Sequence, residues 1–145
     1  MKAFFVITLA VIFQLSVAWA QDPDAITGQW QSGHGSGRMQ IYKKGDKYFG
    51  KLTWLKEPND EHGKPKRDIH NPDEQLTNRP ILGLEILKDL EYKSDGFWSG
   101  GSVYNPKTGR NYNCQVKIRD LNKMDFRAFW GINLIGKTET WTRVK

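Results

Sequence analysis

The fold is indicated most clearly by the run NYNCQVKIRDLNKMDFRAFW, residues 111–130. Apolar and polar side chains alternate along it, first from Tyr112 to Ile118 and again from Met124 to Trp130. A period of two is typical of β-strands with one buried face and one face toward water. The run therefore predicts two adjacent antiparallel strands with a short turn between them.

The same pattern extends in both directions from this run. Further strands are predicted at 26–31, 38–43, 47–56, 82–90, 97–104 and 136–144. Turn residues such as Gly45-Asp46 and Asn105 to Gly109 separate them, and no helix-period apolar face of useful length occurs after the N-terminal segment. Eight hairpin-linked strands predict an all-β antiparallel up-and-down barrel over residues 21–145. A barrel of this size is either filled by side chains or holds one small ligand.

The N-terminal 20 residues have the pattern of a signal peptide. Lys2 precedes an apolar run over 3–17, and Ala18-Trp19-Ala20 is a small-x-small cleavage site. A membrane anchor needs about 20 apolar residues, and this run is shorter and ends in a cleavage site. The sequence therefore predicts cleavage after Ala20 and a periplasmic or secreted protein with no stable membrane anchor.

Charge and cysteine content narrow the function classes further. The formal net charge is +6, but basic residues are spread along the chain, and the one cluster, Lys64 to Arg67, falls in a predicted loop. A solvated loop face is the simpler interpretation, so no nucleic-acid partner is predicted. Cys114 is the only cysteine. It excludes an internal disulfide, and its alternating apolar neighbours favour a buried, inert thiol.

A polar loop of unusual length, residues 56–80, separates the third and fourth predicted strands. Loops this long are uncommon unless they are functional or disordered. Asn71 to Leu76 has the residues of a short helix, with Asn71 as its cap and Pro72 at its first position. A small helix here is expected to lie over one mouth of the barrel, although a simple solvated insertion is the alternative.

The ionisable residues of this loop are candidates for catalytic or metal-binding groups. His62, Asp68 and His70 have no spacing that belongs to a metal motif, and Asp73 and Glu74 are explained by capping and loop hydrogen bonds. No nucleophile elbow, phosphate loop or zinc-protease motif occurs. The sequence therefore predicts no catalytic set, no metal site and no cofactor.

Ordered motifs along the chain resemble a known family. They are Gly28-x-Trp30, Gly50-x-x-x-Trp54-Leu55, Asp68-x-x-Asn71-Pro72-Asp73, Arg79-Pro80-x-x-Gly83, Gly100-Gly101-x-x-Tyr104-x-Pro106-x-x-Gly109-x-x-Tyr112 and Trp141-Thr142-Arg143. Together they resemble the bacterial exported family called domain of unknown function 2147, which has a lipocalin-like (calycin) barrel and no settled activity. The resemblance implies structural roles for Gly28, Trp30, Trp141 and Arg143, with Arg143 packed against Trp30.

Three functions remain open, in descending order of preference. The first is a non-enzymatic binding protein for a small, mostly apolar molecule inside the barrel. The second is an envelope protein-interaction module with a filled barrel core, and the third is an enzyme acting at the barrel mouth through the Asp68 to Asp73 segment. For the first, the predicted wall is aromatic and two polar residues are candidates to orient a polar end. These ligand-binding candidates are Trp54, Tyr104, Tyr112, Phe126, Trp130, Asn71 and Arg127.

Overall fold

The computed structural model describes residues 22–132 and 135–145, so the predicted signal peptide lies outside the described residues. Eight strands follow a short 3-10 helix at Pro23–Ile26. The strands are β1 (Gly28–Gln31), β2 (Gly37–Lys44), β3 (Lys47–Leu55), β4 (Glu85–Ser94), β5 (Phe97–Asn105), β6 (Arg110–Asp120), β7 (Lys123–Phe129) and β8 (Gly136–Arg143).

The eight strands close into one barrel in which each strand pairs with its neighbour in the sequence. Every pairing is antiparallel, and β8 returns to β1 with Arg143 opposite Trp30. The predicted all-β, eight-stranded, up-and-down barrel is confirmed. A closed barrel leaves no long unpaired edge, which is how a small all-β chain avoids pairing with other chains.

The alternation that predicted β6 and β7 describes their two faces correctly. Cys114, Val116 and Ile118 on β6 are buried, as are Met124 and Phe126 on β7, while the residues between them are more exposed. Burial raises the pKa of the Cys114 thiol to about 12, so this free cysteine stays protonated and inert at neutral pH.

One end of the barrel is closed by the 3-10 helix. Ile26 is fully buried in the core, and the indole nitrogens of Trp30 and Trp98 donate to the carbonyls of Ile26 and Pro23 at 2.8 and 3.2 Å. The Tyr48 hydroxyl donates to Asp24 at 2.5 Å. These bonds fasten the helix to β1, β3 and β5, and large side chains fill the barrel below it.

Three local predictions were wrong in their bounds. The first strand begins at Gly28 because residues 23–26 form the 3-10 helix, and β4 begins at Glu85 because residues 82–83 form a turn. The predicted short helix is a single 3-10 turn, Glu74–Leu76. Asp73 caps it by accepting from the Gln75 N–H at 3.0 Å, and Asn71 instead accepts from the Asp73 N–H at 2.8 Å.

No helix among residues 22–132 and 135–145 is long and apolar enough to cross a membrane.

Candidate functional site

The end of the barrel opposite the 3-10 helix opens into a cavity of about 970 Å³. This volume lies at the upper end of the range typical of small-molecule sites. Strand ends and the connections β1–β2, β3–β4, β5–β6 and β7–β8 surround it. Its wall side chains are Leu52, Leu55, Ile81, Ile86, Val103, Tyr104, Tyr112, Phe126, Ala128, Phe129, Trp130, Ile135 and Trp141. The barrel is therefore filled in its closed half and hollow in its open half.

The floor of the cavity is apolar and aromatic. Leu52, Ile86, Phe126 and Trp141 line it and are otherwise almost inaccessible, with 6–8% of each residue exposed. The Phe126 and Trp141 rings lie 5.5 Å apart in a tilted arrangement. The deep part of the cavity can therefore bury apolar ligand surface, which is favourable in proportion to the area removed from water.

A buried carboxylate ties the long β3–β4 connection to the cavity wall. The Asp68 side chain is fully buried and accepts from the Tyr104 hydroxyl at 2.6 Å, from Asn71 Nδ2 at 2.9 Å and from Arg79 Nε at 2.9 Å. Burial alone would raise the pKa of Asp68, but these three donors outweigh it and the pKa is lowered. Burial and the adjacent Asp68 charge raise the pKa of Tyr104 to about 12.

The β3–β4 connection also packs against the β5–β6 turn. A Cβ added to Gly109 would lie only 1.8 Å from the His70 carbonyl oxygen, and Gly109 has a φ of +67°. Only glycine allows this backbone conformation and this close approach together. The loop segment around Asp68 and His70 is therefore fixed against the barrel beside the mouth.

The mouth carries more positive than negative charge. Its ionisable lining residues are His34, Lys56, Glu57, Lys66, Lys107, Lys137 and Glu139, of which four are lysines and two are glutamates. Glu57 lies 3.8 Å from Lys66. Glu139 accepts from the His34 backbone N–H at 3.0 Å and from Trp141 Nε1 at 3.1 Å. The carboxylates of the mouth are thus already engaged by neighbours.

Four of the seven predicted ligand-binding residues line the cavity: Tyr104, Tyr112, Phe126 and Trp130. Phe126 lies at the floor and Tyr104 in the wall, whereas Trp130 is 56% exposed at the rim. The Trp130 ring packs edge-on against Tyr112 at 6.0 Å. That these side chains contact a ligand stays a prediction.

The other three predicted residues do not line the cavity. The β2–β3 register shifts between Arg38 and Met39, which pairs Trp54 with Arg38 and places Trp54 on the outer face. Arg127 lies between inward Phe126 and Ala128 and donates to the Thr138 hydroxyl at 3.0 Å on the outside. Asn71 bonds Asp68 rather than facing the cavity.

The four structural residues lie at the seam between β8 and the start of the chain, or near it. The Arg143 guanidinium lies 4.2 Å from the Trp30 ring centroid and donates to the carbonyls of Thr27 and Ala25 at 2.7 Å each. Gly28 has a φ of +121°, and a Cβ there would approach Arg143 to 2.7 Å. Trp141 lies two residues earlier and faces the cavity floor.

Sequence reasoning missed the aliphatic floor and the buried role of Asp68. Leu52 belongs to the alternating pattern of β3, but nothing in the sequence distinguishes a residue that lines a cavity from one that fills the core. The described residues contain no group of three or more His, Cys, Asp or Glu side chains placed to hold a metal ion.

These features define the class as a lipocalin-like barrel, closed at one end and hollow at the other. The sequence model of the family described as "Uncharacterized protein conserved in bacteria (DUF2147)" matches residues 28–143. The chain belongs to this family. No curated protein matches it.

A solved structure supports the fold. Protein HP1028 from Helicobacter pylori, described as belonging to the lipocalin family, is similar with a TM-score of 0.75 and 23% identity. The match covers 83% of each chain. A redesigned beta barrel matches with a TM-score of 0.49 and 11% identity over 90% of this chain and 97% of the other. At these identities the likeness to HP1028 shows the fold alone.

Proposed function

We propose that the protein is an exported, non-enzymatic binding protein that holds a small, mostly apolar molecule in the open half of its barrel. The observation that carries the proposal is the cavity of about 970 Å³ with its floor of Leu52, Ile86, Phe126 and Trp141. Export rests on the signal-peptide pattern of residues 1–20.

The ionisable groups of the mouth favour binding over catalysis. Asp68 is saturated by three side-chain donors and has a lowered pKa, so it is a weak base held in place. A general base works best with a pKa near the working pH and within reach of a substrate proton. Asp68 therefore acts as an anchor of the long connection, and no chemical step is assigned to it.

A cavity-filling pair of variants tests this function. Ala128→Phe places a ring inside the cavity, whereas Thr138→Phe places the same ring on the exposed outer face of the neighbouring strand. Fatty acids, quinones, haem and isoprenoids form the first panel, read by native mass spectrometry and tryptophan fluorescence. We expect binding by the wild type and by Thr138→Phe, and loss of binding in Ala128→Phe. If no panel member binds, or Ala128→Phe binds as well as Thr138→Phe, the cavity is not the site.

A protein-interaction role is the second candidate, and one observation favours it. Trp130, Ile132 and Ile135 at the rim are 56–63% exposed, which is a clustered apolar surface at the mouth. Such patches often mark contact surfaces. An Ile132→Ser change should then weaken capture of a partner from the native host while leaving small-molecule binding intact, because Ile132 is exposed and does not line the cavity.

A further inference from the structure

The depth of the cavity offers few polar groups to a ligand. The Tyr104 hydroxyl donates to Asp68, Trp141 Nε1 donates to Glu139, and the Ser32 hydroxyl bonds Ser36 at 3.3 Å. A ligand polar group placed at the floor would lose its hydrogen bonds to water without replacing them, which is costly. The polar end of any ligand therefore belongs at the mouth.

The mouth has cations that are not paired with the protein's own acids. Within the part of the chain that the structure describes, Lys56, Lys107 and Lys137 have no carboxylate within ion-pair distance. Glu57 is paired with Lys66, and Glu139 is held by the His34 N–H and the Trp141 indole.

These three lysines are distributed around the opening. Lys56 follows β3, Lys107 lies in the β5–β6 turn and Lys137 is the second residue of β8. Because the strands are arranged in sequence order around the barrel, the three positions are separated by two to three strands each. An anion at the mouth would thus have ammonium groups on several sides, and a cation would be repelled from all of them.

We infer that the ligand is an anionic amphiphile, with its head group among Lys56, Lys107 and Lys137 and its apolar tail in the cavity below them. This inference rests on the proposed binding function and specifies its ligand class. Trp141 at the floor lies four residues along β8 from Lys137, a rise of about 13 Å. A single alkyl chain of about that length would reach from the mouth to the floor of the cavity.

Three dodecyl compounds distinguish the contribution of the head group to affinity from that of the tail. Dodecanoate, dodecanol and dodecyltrimethylammonium share a tail and differ in head charge, and isothermal titration calorimetry below their aggregation concentrations measures each affinity. We expect dodecanoate to bind about tenfold more tightly than dodecanol, because solvent-exposed ion pairs are individually weak and three act together. Dodecyltrimethylammonium should bind most weakly.

A matched pair of triple variants assigns the effect to the mouth. Lys56→Gln, Lys107→Gln and Lys137→Gln remove the three mouth cations, whereas Lys93→Gln, Lys117→Gln and Lys123→Gln remove three exposed cations toward the closed end. The mouth variant should bind dodecanoate about tenfold more weakly and dodecanol unchanged. The closed-end variant has the same net charge and should bind both compounds like the wild type.

The outcomes distinguish the two proposals. Equal affinity for dodecanoate and dodecanol, or equal loss in both triple variants, would overturn the anionic head group and leave the apolar cavity standing. If none of the three compounds binds and the wider panel also fails, the binding function itself falls. Far-ultraviolet circular dichroism of every variant confirms that the comparison is made between folded proteins.

Discussion

The Tyr104 hydroxyl donates to the fully buried Asp68 carboxylate at 2.6 Å, which joins the cavity wall on β5 to the β3–β4 connection. This bond crosses 36 residues of sequence, so it fixes a long loop that local chemistry alone would leave free. The loop segment that lines the mouth is consequently positioned by the barrel itself.

Removing the Tyr104 hydroxyl should destabilise the protein. Tyr104→Phe leaves the buried Asp68 carboxylate without one of its three side-chain donors, and hydrogen bonds to charged groups contribute about 1.5–3 kcal/mol each. Urea unfolding should show a loss of that size. Tyr112→Phe is the matched control, because within the described residues the Tyr112 hydroxyl makes no hydrogen bond to the protein. Equal losses in the two variants would refute the prediction.

Acid should weaken the same anchor. The pKa of Asp68 is lower in the folded protein than its unfolded value of about 3.9, so its contribution to stability is complete above that value. The contribution is lost as the pH falls through the folded-state pKa. Asp68→Asn should therefore be less stable than the wild type at neutral pH, with a difference that shrinks below about pH 4. A difference that grows in acid would contradict the lowered pKa.

Trp30 should be among the costliest side chains to remove. It is fully buried, its indole nitrogen bonds the Ile26 carbonyl, and Arg143 packs on its ring. Trp30→Ala should cost about 3–5 kcal/mol of unfolding free energy. Trp54→Ala, on the outer face, should cost about 1 kcal/mol or less, and equal unfolding midpoints for the two variants would show that Trp30 is not a core residue.

Gly109 offers a test of how the loop is seated. Gly109→Ala meets both an unfavourable positive φ of +67° and the His70 carbonyl, whereas Gly45→Ala meets a nearly equal φ of +68° with nothing within 4 Å. The control should lose about 1–2 kcal/mol from backbone conformation, and Gly109→Ala about 1–3 kcal/mol more from the displaced contact. Thermal unfolding of the two variants measures the difference between their losses in stability. Equal losses would show that the loop does not pack against the β5–β6 turn.

The tip of the long connection should be dispensable. Asn59 and Pro65 pair as an isolated bridge, and residues 60–64 between them are exposed. Replacing residues 60–64 with Asn-Gly should leave the melting temperature nearly unchanged, since little apolar area is buried there. A drop of about 4–8 °C, the shift expected of a loss near 1 kcal/mol in a small domain, would show that the tip supports the barrel.

The fold could be predicted because the strands follow simple periodic rules. Alternation over β6 and β7 identified the inward faces, and the turn residues marked the hairpins. The prediction from alternation failed where the backbone departs from a period of two. The register shift opposite Trp54 reversed that residue's face, and the positive φ of Gly100 belongs to a similar irregularity in β5.

The site was less predictable because a cavity is a property of packing between distant residues. Small residues such as Gly50 and Gly101, set among large side chains in the sequence, suggest open space inside a barrel. In the structure a Cβ on Gly50 would lie 2.6 Å from the Met39 sulfur, and one on Gly101 would lie 2.8 Å from the Lys88 carbonyl oxygen. These glycines permit close packing, and the open space lies elsewhere.

Within the described residues, the 3-10 helix at Pro23–Ile26 closes one end of the barrel, and the cavity opens at the other. A molecule that enters the cavity past Trp130 and Lys137 would leave by the same open end, since Ile26 and the tryptophans bonded to the 3-10 helix fill the opposite end. Entry and escape then cross one shared barrier. A rim change that alters only this barrier speeds or slows both passages by the same factor, so it sets residence time without changing affinity.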